Sequence, residues 1–131
     1  MAGLKTQCIQ LINQYEQQLR YKNVSTELIE KARYCMCSFI DETVLNTAWG
    51  ENSDWATESL LSTFHTETFG GEYFFTLLDS AIAAPKEHLL LLELQYLCLS
   101  FGFVGKMRVE ERGYEKLEGF RERAYKAIRS Q

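Results

Sequence analysis

Proline is nearly absent: Pro85 is the only one in 131 residues, and long stretches carry no glycine. A fold of strands and tight turns needs both residues at its corners. Their scarcity therefore points to helices, and no alternating apolar–polar run stands out against that. Long apolar runs are missing too. The longest uninterrupted one, Leu89–Leu92, falls far short of the roughly 20 residues that cross a bilayer. The N-terminal stretch MAGLKTQCIQLINQYEQQ holds no continuous apolar segment, so no signal peptide is expected and the chain should be soluble. Cysteine is sparse and unpatterned. Cys8, Cys35, Cys37 and Cys98 form no C-x-x-C pair, and on a helix Cys35 and Cys37 point to different faces. They are expected as buried free thiols in a reducing compartment.

Basic residues are missing from the middle of the chain. Residues 41–93 hold ten acids against Lys86 alone. Residues 1–40 carry five bases against three acids, and residues 94–131 eight bases against five acids. The net charge of −4 thus conceals an acidic body with a mildly basic tail. Phosphate binding needs Lys and Arg, so nucleic acid is a poor partner for the central region. A basic protein surface suits it better.

What the chain does have is helical periodicity. With 46% hydrophobic residues and 13% aromatics, it is expected to be one all-α domain over 1–131, with about six helices. The first covers about 3–21, with Leu4, Cys8, Leu11, Ile12, Tyr15 and Leu19 in one stripe. Ser25 caps the second, which runs to Leu45 and buries Leu28, Ala32, Cys35, Met36, Phe39 and Thr43. A loop over 46–53 leads to a third helix, capped by Asn52, Ser53 or Asp54. That helix presents Ala56, Leu60, Leu61 and Phe64, and Phe69-Gly70-Gly71 breaks it. A fourth spans 72–83. Pro85 fixes the start of a fifth, about 86–101, which is apolar almost all round and belongs at the centre of a bundle. The last covers about 109–129, with Tyr114, Leu117, Ala124, Tyr125 and Ile128 on one stripe. Arg121 falls within that stripe, to be paired with Glu93 or Glu42 if buried, or else to snorkel.

The densest chemistry lies between Cys35 and Glu72. Asp41 and Glu42 are adjacent at the end of the second helix. At about 100° per residue, Glu42 lies at the edge of the buried face and Asp41 points away, toward solvent or a neighbouring groove. Glu42 is thus expected to anchor locally and Asp41 to be displayed. Carboxylates at i and i+1 diverge on a helix, whereas the acid–base pair of a hydrolase must converge on one bond. No catalytic residue, metal ligand or cofactor is therefore assigned. The competing reading is a small helical hydrolase or metal-binding protein using Asp41, Glu42, His65 and Glu67, although these lack the H-E-x-x-H spacing. Trp49 and Trp55 flank the acidic loop. They serve as core anchors or line a groove for a partner's basic and apolar side chains, and both hold if one ring is buried and the other is not.

The run Phe39-Ile40-Asp41-Glu42-Thr43-Val44-Leu45-Asn46, followed by Trp49-Gly50 and Asn52-Ser53-Asp54-Trp55, resembles the signature of the DotU/TssL family of bacterial type VI secretion systems. The likeness continues through Leu60-Leu61-Phe64-His65 and Glu67-Thr68-Phe69-Gly70-Gly71-Glu72. It resumes at Leu92-Glu93-Leu94, Tyr96-Leu97-Cys98-Leu99 and Gly102-Phe103-Val104-Gly105. The resemblance implies a hook-like, all-helical cytoplasmic domain of two small helix bundles, without enzymatic activity. It implies a docking scaffold at the cytoplasmic face of the inner membrane, held by a C-terminal transmembrane helix absent from this chain. It also implies self-association of the full-length protein, a TssM/IcmF-like membrane partner, and TssK-like and TssE-like baseplate partners. The family's acidic pair maps onto Asp41 and Glu42, in a cleft taken as a contact surface. Asp41, Glu42, Trp49, Glu51, Asp54 and Trp55 are the expected partner-binding residues. The chain departs from the pattern by starting late and stopping before a membrane helix, so one bundle is expected to be incomplete or rebuilt.

Overall fold

The computed structural model describes residues 2–65 and 71–131. Among these the fold is all helical, with seven α-helices and two short 3-10 turns. It divides into two compact units, Met1–Thr68 and Phe69–Gln131.

The first unit is built on α2 (Thr26–Leu45). Its start is set by Ser25, whose hydroxyl accepts from the Leu28 amide at 3.2 Å. Such a cap satisfies one of the otherwise orphaned first-turn donors. The helix is buried over a wide arc. Ile29, Ala32 and Cys35 lie in the core, and so do Tyr34, Cys37, Ser38, Asp41 and Val44. The expected face therefore covers only part of what is buried, and Thr43 is exposed, its hydroxyl turned back onto the Phe39 carbonyl. α1 (Ala2–Tyr21) buries Ile12 and Leu19, while Leu4 and Leu11 stand in solvent. Arg33 ties the unit together. Its guanidinium pairs with Glu16 of α1 at 2.7 Å, donates to His65 Nε2 at 3.3 Å and lies over the Phe64 ring.

The expected loop and third helix fall into three pieces. α3 (Ala48–Glu51) is one turn, a 3-10 turn covers Asp54–Ala56, and α4 (Leu60–His65) follows. The break expected at Phe69-Gly70-Gly71 lies mostly outside the described residues.

In the second unit, α5 (Tyr73–Ala83) and α6 (Leu89–Ser100) pack with α7 (Gly113–Arg129). Phe74, Phe75, Leu78, Leu91 and Leu92 are fully buried, and Phe75 meets the Phe120 ring at 5.0 Å. Burial of such aromatic and aliphatic side chains contributes roughly 1.5–3 kcal/mol each. By length and composition Leu89–Arg108 is apolar enough to cross a membrane. Here it is instead α6, a turn, and a 3-10 turn over Gly105–Arg108. α6 is less enclosed than its composition suggests: Leu97 is 51% exposed. Gln95 is fully buried and donates to the Phe74 carbonyl at 2.9 Å, while its Oε1 has no partner among the described residues. Pro85 lies in a turn, and the helix begins only at Leu89. α7 starts later than Val109, after Arg112 adopts a left-handed φ of 57°. Arg121 is not buried, so the condition for an interior carboxylate partner is not met; it pairs with Glu118 on its own helix at 3.3 Å. Gly105 has a φ of 56°, and a Cβ there would lie 2.7 Å from the Gly71 carbonyl oxygen, so only glycine fits this close approach.

Candidate docking site

The three short pieces between Ala48 and His65 lack the length to hold themselves, since isolated turns of helix are unstable. Each is fixed from outside. Thr47 caps α3 by accepting from the Gly50 amide at 3.0 Å. Gly50 is buried against the end of α2, and a Cβ there would fall 2.0 Å from the Val44 carbonyl oxygen. Ser53 caps the 3-10 turn through the Trp55 amide. At α4, the Ser59 hydroxyl accepts from the Ser62 amide at 3.1 Å. The two remaining first-turn amides, of Leu60 and Leu61, donate to the Asp41 carboxylate at 2.9 and 3.0 Å.

Asp41 also accepts from the Trp55 indole Nε1 at 2.8 Å. Asp41 is 5% exposed and Trp55 2%. This overturns the expected part of Asp41, which lies inside and anchors, whereas Glu42 is half-buried, in keeping with its expected place at the edge. The reason is that α2 packs on two sides, so the side facing away from its most apolar stripe is covered as well. Burial raises the Asp41 carboxyl above its ordinary value, opposed by the three N–H donors and by the charge of Lys5. Nearby thiols respond to the same environment. Burial, with the Asp41 charge second, raises Cys8 and pushes Cys37 up to about 12.

The same segment also carries exposed side chains. Trp49 is 50% exposed, and Glu51 and Asp54 are exposed. One tryptophan is thus a core anchor and the other is displayed. Lys5 of α1 lies over the Trp55 ring at 5.2 Å and donates to the Glu58 carbonyl, with the Glu58 carboxylate 3.9 Å away. Lys5, Asp54, Trp55 and Glu58 line a groove of about 470 Å³. The parts of Lys5, Glu58 and Gly50 were not legible beforehand. Only the i, i+3 spacing of Thr47 and Gly50, a cap-and-close-approach pattern, could have pointed to the last.

The hydrolase or metal reading needs Asp41, Glu42, His65 and Glu67 to converge. Glu67 lies outside the described residues. The Asp41 oxygens are occupied by N–H donors, and His65 Nε2 accepts from Arg33. Among the described residues no three of His, Cys, Asp and Glu stand close enough to hold an ion.

A family model described as "Type VI secretion system protein DotU" matches residues 1–131. Among solved structures, TssL from Vibrio cholerae is 38% identical, with a TM-score of 0.91 over 95% of this chain and 82% of that one. The cytoplasmic domain of TssL from Acinetobacter baumannii is 28% identical, with a TM-score of 0.90 over 98% of this chain and 82% of that one. No curated protein matches.

Proposed function

The chain belongs to the DotU family of type VI secretion system proteins, and from that premise we propose that it is a non-enzymatic docking domain of the secretion machinery. It works at the cytoplasmic face of the inner membrane, beside a TssM/IcmF-like protein, and recruits TssK-like and TssE-like baseplate proteins. The observation that carries this reading is that Trp49, Glu51 and Asp54 are all exposed on one short segment whose Trp55 is pinned inside by Asp41. Tryptophan is enriched where interfaces concentrate their energy. The exposed carboxylates of Glu51 and Asp54 on the same segment steer a basic partner and reject an acidic one. Glu42, half-buried at the edge, extends the acidic rim. Asp41 and Trp55 contribute from inside rather than at the contact.

Binding to the cognate TssK-like protein, measured by titration with Trp49→Ala and with Glu51→Lys/Asp54→Lys, tests this reading. Both variants should melt like wild type, because the altered side chains are exposed. Each should bind at least about tenfold more weakly. Wild-type affinity from both, and from the same variants against the TssE-like and TssM-like proteins, would sink the reading.

A further inference from the structure

Asp41 clamps both ends of one stretch of surface chain. Its Oδ1 takes the indole N–H of Trp55, 14 residues on, and the Leu60 amide; its Oδ2 takes the Leu61 amide, 20 residues on. Between those two fixed points lie residues 56–59. Asp54 is the backbone neighbour of Trp55 and opens the 3-10 turn. The acidic groups that line the groove, Asp54 and Glu58, are therefore held at fixed spacing by a carboxylate that does not itself line it. A carboxylate accepting three N–H groups in a water-poor setting makes stronger, more directional bonds than a neutral amide could. An asparagine has one acceptor oxygen, and its NH₂ would face an N–H donor.

We propose that Asp41 is the positioning residue of the docking surface: it touches no partner, but holds Trp55 and the start of α4 so that Asp54 and Glu58 are presented in register to a basic partner. This rests on the docking reading above. It differs from a direct contact, which would require Asp41 to be accessible. It also differs from a purely structural role, which would affect stability without changing how the surface is presented.

The test combines amide exchange by NMR with binding of the TssK-like protein over a salt series. It uses wild type, Asp41→Asn, Trp55→Phe and Glu51→Lys/Asp54→Lys. Trp55→Phe removes one donor and keeps the ring in the core, so it stands in should Asp41→Asn fail to fold. For both interior variants we expect the Leu60 and Leu61 amides to exchange at least about tenfold faster while the first half of α2 keeps its protection. In Asp41→Asn the Trp55 indole N–H resonance shifts. Binding weakens about tenfold, with the slope of log affinity against log salt unchanged, because no contacting charge is lost. In Glu51→Lys/Asp54→Lys that slope falls. If the surface variant loses binding while the folded interior variants bind like wild type, the positioning role is overturned and the docking reading stands. A reduced salt slope in Asp41→Asn also overturns it, in favour of direct contact. If the surface variant itself binds like wild type, the positioning role falls, and the docking reading is then decided by Trp49→Ala.

Discussion

Asp41 carries the main titration consequence of this fold. Because burial raises its carboxyl above the ordinary value, the folded chain holds that proton more tightly than the unfolded chain does. Stability linked to this group is therefore lost as pH rises through the window between the ordinary and the raised value, and gained as pH falls through it. That is the opposite of a salt-bridged aspartate. Asparagine carries no such proton, so the comparison isolates the effect. Wild-type stability relative to Asp41→Asn should increase as pH is lowered from 7 toward 4, measured by urea unfolding at each pH. A difference that stays flat or shrinks would mean that the three N–H donors outweigh burial. The cysteines give a second residue-scale outcome. Cys37 and Cys98 are pushed up to about 12 by burial, which leaves on the order of 0.01% thiolate at pH 8. Cys8 is only half-buried. Iodoacetamide on the native chain should label Cys8 first, and reach Cys37 and Cys98 only after unfolding, as read by peptide mass spectrometry.

At the level of elements, α3 is placed by a glycine rather than by its own length. A Cβ on Gly50 would lie 2.0 Å from the Val44 carbonyl oxygen and 2.8 Å from Thr47 Oγ1. The first of these is backbone and cannot swing aside. Gly50→Ala should thus push α3 off α2, costing about 2 kcal/mol, and shift the Trp49 emission. An unchanged melting curve would mean that α3 is free to move. The helices with a long apolar repeat were legible in the sequence: α5 was expected within a residue of its observed start, and the Ser25 cap of α2 was expected outright. The pieces at the site were not. Tyr34, Cys37, Ser38, Asp41 and Val44 follow helical spacing, but their mixed polarity hides a buried stripe from any pattern based on hydrophobicity. The expected third helix breaks because Ser59 and Asp41 cap a new start at Leu60. The Asp41 bonds join residues 14–20 apart, a distance that local periodicity does not register.

Across the whole chain, charge is segregated more sharply than the net −4 suggests, with ten acids and a single base between residues 41 and 93. Such a field acts mainly on encounter. It raises the rate at which a basic partner arrives, and it decays over a Debye length of about 8 Å at physiological salt. Once a complex has formed, its lifetime depends on short-range packing, for which the exposed Trp49 is the anchor proposed above. The two contributions separate kinetically. Raising salt from about 50 to 500 mM should slow association with the TssK-like protein roughly tenfold and change dissociation little. Trp49→Ala should do the reverse, speeding dissociation at every salt concentration while leaving the salt dependence of association intact. Surface plasmon resonance resolves both rates. An association rate indifferent to salt would remove the acidic segment from the encounter, whatever Trp49 does.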